Sequence, residues 1–401
     1  MYYFVSGLVL TFLCLADCSK LGNKSGASSD PDCYRNVSQL ISSKGYPVEE
    51  YLVQTEDGYI LGVQRIPYGL SKLGRMAKDR PVVFLQHGLL ASSADWVMNF
   101  PDQSLGFILA DAGYDVWLGN QRGNTYSRRH VKYSPRDRQF WEFSIDEYAA
   151  YDIPAMVEFA LNVTGKPQLY YVGHSEGTTV AFALLSDRPK YDKIKAVMAL
   201  GPVATVGYIT SPIRYLAPFC HEINFLFRIL GFYEFLPNNF LMKILSHIFC
   251  RHNELKFLCE NAFFLMSGFD PSQLNQTRLD VYVSHDPAGT STQNIVHFAQ
   301  MVNSRKFQKY DFGKTKNLIK YNQSTPPEYT VENIRTPIAL LWGLNDALAD
   351  PVDVNLLKTK IKNLIESYRV SLPNWAHIDF IFGIDAPKYV YKELLKLLKM
   401  V

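Results

Sequence analysis

Gly173-His174-Ser175-Glu176-Gly177 sets one serine between two glycines. The apolar run Leu169–Val172 precedes it, and Thr178–Leu185, small and apolar enough for a helix, follows. A strand, a sharp turn and a helix in that order lift a serine hydroxyl clear of a sheet, where it can attack an acyl carbon. The glycines have a steric reason, because side chains two residues either side of such a turn would collide with the adjoining strand and helix. A hydroxyl is a poor nucleophile until a base takes its proton, so Ser175 needs a histidine, and that histidine needs a carboxylate to orient it. In elbow-type sites the acid precedes the histidine along the chain. Pro337–Trp342 reads as a strand, and Gly343-Leu344-Asn345-Asp346 puts Asp346 just past its carboxyl end, with Asp350 the alternative acid. Tyr368–Leu372 reads as the last strand, and Pro373-Asn374-Trp375-Ala376-His377 carries His377 on a loop at the same edge. Among His221, His247, His252, His285 and His297, the main rival is His285, in the loop-like setting of Asp286-Pro287-Ala288-Gly289.

Acyl transfer passes through a tetrahedral oxyanion, which needs amide donors already in place. The backbone N–H of Glu176, directly after the nucleophile, is one expected donor. The other is expected at Leu89, in the His87-Gly88-Leu89 loop after the Pro81–Gln86 strand. A carboxylate beside an oxyanion would repel it, so only the backbone of Glu176 is expected to face the site. This chemistry calls for no metal and no cofactor.

Positioning these groups requires a sheet whose strands end at one edge. Tyr51–Gln54 and Tyr59–Arg65 flank Glu56-Asp57-Gly58 as a hairpin. Ser71–Arg80 reads as a polar loop, Leu105–Ala112 as a helix stopped by Gly113, Tyr114–Leu118 as a strand, and Ile145–Leu161 as one helix with Pro154 near its start. Lys195–Leu200 is a further strand, and Ala386–Met400 a terminal helix. Strands alternating with helices predict an α/β fold, a mostly parallel central sheet with helices on both faces. Residues 203–329 break that rhythm. They are mostly helical in pattern, and the stretch Ile223–Phe249 is strongly apolar. An insertion here would sit over the strands' carboxyl ends, where such sheets bind ligands. It reads as a cap with an apolar inner face; the alternative is a helical subdomain packed only on itself.

The chain has 401 residues, 47% of them hydrophobic, enough for a large core. A net charge of +3 from 41 basic and 38 acidic residues, with no basic block, excludes nucleic acid as partner. Tyr3–Leu15 ends in Ala16-Asp17-Cys18, so residues 1–18 read as a secretory signal cut before Ser19, too short for a bilayer span. No transmembrane segment is expected in the mature chain. Residues 19–45 read as an N-terminal linker, 46–202 and 330–401 as the two parts of the core. Sequons at Asn23, Asn36, Asn162, Asn275 and Asn322 fit export as glycosylation candidates. Cys250 and Cys259 are the expected disulfide, since the short loop between them closes with little rearrangement, and Cys220 is expected as a buried thiol.

With these residues placed, the chain resembles the acid lipase family of α/β-hydrolases from about Tyr46 to the last helix. The resemblance rests on HGLLASSADWV (87–97), YDIPA (151–155), GHSEGTT (173–179), LDVYVSHDPAGTS (279–291), NDALADP (345–351) and HIDFIFG (377–383). It implies Ser175 as nucleophile, His377 as base, Asp346 as its orienter, Leu89 and Glu176 as amide donors, a cap and lid over an acyl pocket, and Cys250–Cys259 as the lid's disulfide. Two positions depart from the family's usual pattern: Glu176 stands where Gln is usual, and Ile378 where an aromatic residue or Leu is usual. Neither removes a catalytic atom, so both bear on pH profile and substrate preference. The expectation is a glycosylated lipase of the secretory pathway, extracellular or lysosomal, acting on triacylglycerol or sterol ester at a lipid–water interface. The rivals are a soluble short-chain carboxylesterase or thioesterase, and a non-catalytic lipid carrier on the same scaffold.

Overall fold

The computed structural model describes residues 30–76, 79–238, 267–268 and 270–401. Its strands are β1 (Glu49–Gln54), β2 (Tyr59–Ile66), β3 (Val82–Gln86), β4 (Asp115–Leu118), β5 (Arg129–His130), β6 (Leu169–His174), β7 (Ile194–Leu200), β8 (Glu234–Phe235), β9 (Thr290–Ser291), β10 (Ile338–Trp342) and β11 (Leu364–Arg369). The main sheet runs β1-β2-β4-β3-β6-β7-β10-β11, with β5 pairing β2. β1, β2 and β4 pair antiparallel in turn, whereas β4-β3-β6-β7-β10-β11 is parallel throughout.

The central strands read as unbroken apolar runs because both faces are covered. Val82 and Phe84 of β3, with Tyr171 of β6 and Leu340 of β10, enter one core. Val83 and Leu85, with Val172 and Leu341, enter the other. All the parallel strands therefore deliver their carboxyl ends to one edge, and the chain crosses from β3 to β4 on one side and then from β4 back past β3 to β6 on the other. The crevice such a reversal leaves is where open α/β sheets bind ligands.

Four elements differ from the sequence reading. The last strand is Leu364–Arg369, not 368–372; β11 lies at the sheet edge and is only half buried, so its polar residues hide it from an apolar-run criterion. The helix expected over 145–161 is interrupted. Tyr148–Asp152 forms a wider π-type turn, and Pro154 occupies the first turn of the Ile153–Thr164 helix, where its missing N–H costs nothing. A short helix, Lys72–Met76, stands in the loop expected over 71–80. The stretch read as a linker is folded from Pro31. Asn36 caps the Val37–Ser43 helix by accepting from Gln39 N (2.8 Å), and Val37, Leu40 and Ile41 are buried. The presumed signal, Asn23, and most of Ile223–Phe249 beyond Asn238 lie outside the described residues.

Candidate active site

The elbow is built as the motif requires. Ser175 follows β6 at φ 52°, ψ −120°, and the Glu176–Asp187 helix begins immediately after it. A side chain at Gly173 would meet the backbone of Gly177 at 2.7 Å, and one at Gly177 would meet Gln86 O at 2.4 Å. The two glycines are thus required by crowding between β3, β6 and the helix. Ser175 N–H donates to Leu200 O of β7 (3.0 Å), and its side chain is half-buried.

His377 and Asp346 meet although they are separated along the chain by β11. His377 Nδ1 lies 2.8 Å from Asp346 Oδ2 and 3.0 Å from Oδ1, and both residues are buried. Asp346 Oδ1 also accepts from Leu348 N (2.9 Å) and Ala349 N (2.7 Å), which fix the carboxylate in place. The opposite ring nitrogen, His377 Nε2, is shut off from water and has no hydrogen-bond partner among the described residues. A methyl on Gly201, the residue after β7, would touch His377 Nδ1 at 3.1 Å, so the imidazole sits at the end of the strand that anchors Ser175. Asp350, the alternative acid, is committed elsewhere: it caps the Pro351–Lys360 helix by accepting from Val352 N (2.8 Å). His285 Nε2 sits 3.0 Å from the Asp32 carbonyl, and His297 Nε2 lies 2.8 Å from Gln308 O. Neither is joined to the elbow by these bonds. His247 and His252 lie outside the described residues, as do Cys250 and Cys259. Cys220 is buried, with Asn303 Nδ2 at 3.7 Å from its sulfur.

The loop after β3 closes over the serine. A side chain at Gly88 would reach Ser175 Cβ at 3.0 Å, and Leu89 follows it, half-buried. Glu176 N–H is at the first position of a helix, where backbone donors have no intrahelical partner and the helix dipole favours negative charge. The Glu176 side chain points into the interior, where its Oε1 accepts from Asn294 Nδ2 (2.6 Å) on the Thr292–Ser304 helix. Burial raises its carboxyl to about 8, against a smaller lowering by Asn294. At neutral or acid pH the group next to the oxyanion position is therefore uncharged.

Three supporting residues carry no signal of their own in a serine-centred reading. His174 Nε2 lies 3.0 Å from the His377 carbonyl; burial and the neighbouring His377 ring hold His174 well below the usual histidine range, so it is a neutral donor. His87, lowered to about 4 by burial, donates from Nδ1 to Gly88 O (2.8 Å) and accepts at Nε2 from Asn124 Nδ2 (3.1 Å). Asp379 accepts from Ala376 N (2.6 Å), bracing the loop that carries His377; burial raises it to about 8. His174 and His87 stand inside the motifs already singled out, whereas Asn294 lies 118 residues from its partner and no local pattern marks it.

Glu176 and Asp379 set the direction of a pH effect on stability. Unfolded, both ionise near pH 4; folded, both keep their protons to about 8. Between those limits the unfolded chain binds fewer protons, so stability falls as pH rises, by up to about 1.4 kcal/mol per unit and per group. His87 and His174, buried and lowered, work in the opposite sense below about pH 6.5. Asp32, held at about 2 by Lys44, Arg35 and Arg278 against its burial, does so only below about pH 4. Calorimetry should find a higher Tm at about pH 5 than at about pH 8. Glu176→Gln and Asp379→Asn should each flatten that slope; a Tm that rises over the interval would contradict it.

A parallel sheet ending in an elbow serine, with an Asp–His pair at the same edge, defines an α/β-hydrolase. The profile described as "alpha/beta hydrolase fold" matches residues 81–384, and that described as "Partial alpha/beta-hydrolase lipase region" matches 37–100. The chain is 50% identical to the lysosomal acid lipase/cholesteryl ester hydrolase of Homo sapiens over 92% of each chain. It is 51% identical to the gastric triacylglycerol lipase of Homo sapiens, also over 92% of each. A soluble variant of monoglyceride lipase from Saccharomyces cerevisiae shares the fold at a TM-score of 0.51 and 16% identity, over 88% of this chain and 97% of that one. The chain belongs to the acid lipase family of α/β-hydrolases and is an ester hydrolase. Among the described residues, no helix is long and apolar enough to cross a membrane.

Proposed function

We propose that this chain hydrolyses carboxylic esters of neutral lipids, triacylglycerol or sterol ester, through an acyl-enzyme on Ser175. One observation carries the assignment: His377 offers a buried Nε2, unpartnered among the described residues, at the end of β7, with Asp346 fixed on its other nitrogen. His377 takes the Ser175 proton as the hydroxyl oxygen bonds to the acyl carbon. Leu89 and Glu176 amides receive the oxyanion, and the imidazolium then protonates the departing alcohol. Water repeats the sequence, releasing the acid and restoring Ser175. Asp346 keeps the proton on Nδ1 and stabilises the imidazolium. Glu176, kept neutral by burial, adds no repulsion at the oxyanion.

The lipid assignment also draws on residues 203–329, read as cap and lid. On the Cys220–Ile229 helix and just after it, Phe225, Leu226, Ile229, Leu230 and Phe232 are all exposed, an apolar face suited to a lipid surface. Hydrolysis of emulsified triacylglycerol and sterol ester, compared with a dissolved short-chain ester at about pH 5 and about pH 7, tests this. Turnover should rise sharply on the emulsions. Activity confined to the dissolved ester would make the chain a short-chain esterase, and lipid binding without turnover would make it a carrier.

Export follows the same reading, to the cell exterior or the lysosome. Asn36, Asn162 and Asn322 are exposed and Asn275 half-buried, which supports reading them as glycan acceptors. Mass spectrometry of unreduced peptides should find Cys250 joined to Cys259; free thiols at both would refute the bridge.

A further inference from the structure

Behind the oxyanion loop, two carboxyl side chains lie against each other, Asp95 buried and Asp286 half-buried. Asp95 lies in the Ser93–Trp96 turn downstream of Leu89, and Asp286 directly follows the Leu279–His285 helix. The side chains are within hydrogen-bonding reach of one another, and Oδ1 of each is closed off from water with no other partner among the described residues. The ionisable side chains acting on the pair from neighbouring elements are Tyr126, on Asp286, and Tyr391, on Asp95; burial raises both phenols, Tyr126 to about 12, so neither supplies charge. Two carboxylates cannot both ionise in such a place, but one shared proton turns the contact into a strong O–H···O⁻ bond.

That bond ties together two segments that meet again beside the reacting atoms. Two residues beyond Asp286, Ala288 N–H donates to Leu90 O (2.6 Å), and Ala288 O accepts from Thr125 Oγ1 (3.2 Å). Leu90 has φ +63°, an uncommon conformation for a side chain of its size, and it needs outside support. Its neighbour is Leu89, whose amide is the oxyanion donor of the proposed mechanism.

We propose that Asp95 and Asp286 form a positioning pair for the oxyanion hole, in which one shared proton fastens the Asp286–Ala288 segment to the oxyanion loop and so fixes Leu90 and the Leu89 amide. This rests on the esterase reading of Ser175. Burial assists it by raising Asp286 to about 7 and Asp95 well above the ordinary carboxylate range, with Asp95 the donor. The pair comes to share one proton as Asp286 ionises near 7, and the O–H···O⁻ bond lasts until Asp95 also gives up its proton at alkaline pH. Below that point the Leu89 donor is held; above it, two carboxylates repel and the loop loosens.

The test is hydrolysis of a dissolved short-chain ester by the full chain, from about pH 4 to about pH 9, with Asp286→Ala and Asp286→Asn. Losing an oxyanion donor outright costs about 10²–10³ in kcat, so displacing one should cost about tenfold or more in Asp286→Ala, with KM changed less than about threefold. Asp286→Asn, whose amide donates to the Asp95 carboxylate, should recover most of that loss and hold its kcat further into the alkaline range. Wild-type kcat and pH profile in Asp286→Ala, or equal damage in both variants, would overturn the proposal. Infrared spectra read the pair without catalysis: at about pH 6, Asp286→Asn should lose carboxylic-acid C=O absorption that the wild type shows. An unchanged band would also overturn it. A wild type with no turnover would instead refute the esterase reading, and the band would still decide the pair.

Discussion

Ser175→Ala should lower kcat on ester substrates about a millionfold, because removing the nucleophile of a serine triad costs as much as removing the whole unit. The elbow predicts that little else will change. Ser175 is half-buried, and its backbone bond to Leu200 O survives the substitution. Tm should stay within about 2 °C of wild type, as for a change that opens no cavity. The residual rate should stand above the uncatalysed one, since the Leu89 and Glu176 amides still receive the oxyanion of a direct water attack. Burst kinetics with an ester that releases a chromophore make the test sharp. The wild type should show a burst equal to one acyl group per chain, and the variant none. A variant that keeps its burst would move the nucleophile elsewhere and break the assignment of His377 and Asp346 with it.

The same elbow shows why the catalytic strands were legible in sequence. β3, β6, β7 and β10 are buried on both faces, so each appears as an apolar run ended by glycine or histidine at the site. Order along the chain then narrows the acid and base to a few residues, and geometry joins Asp346 rather than Asp350 to His377. What periodicity missed lies at the margins. β11 is half-exposed at an edge, and Tyr148–Asp152 is a π-type turn inside a helical pattern, so neither presents the regular burial that an apolar pattern records. The supporting shell was hidden for a different reason. Glu176 meets Asn294, and Asp95 meets Asp286, across more than a hundred residues, through pairings that only the folded chain creates. A carboxylate after the nucleophile looks like an obstacle in sequence, yet once buried it is a neutral acceptor.

Asp346→Asn should cost about four orders of magnitude in kcat, with far less effect on KM. In the wild type the carboxylate accepts from His377 Nδ1, and Leu348 and Ala349 amides hold it in place. Those two amides point at Oδ1, so an asparagine there keeps its carbonyl oxygen on Oδ1 and turns its NH₂ toward the imidazole. An NH₂ donor facing Nδ1 drives the ring proton to Nε2, the nitrogen that must be bare to accept from Ser175. The base is then blocked without being removed, which explains so large a loss from the exchange of one oxygen for nitrogen. Raising the pH should recover part of the rate only where hydroxide can replace the base. Asp350→Asn should leave kcat within about threefold and stability within about 0.5 kcal/mol, because asparagine caps a helix about as well as aspartate. The contrast between the two substitutions decides the acid: a severe loss from Asp350→Asn with a mild one from Asp346→Asn would reassign it.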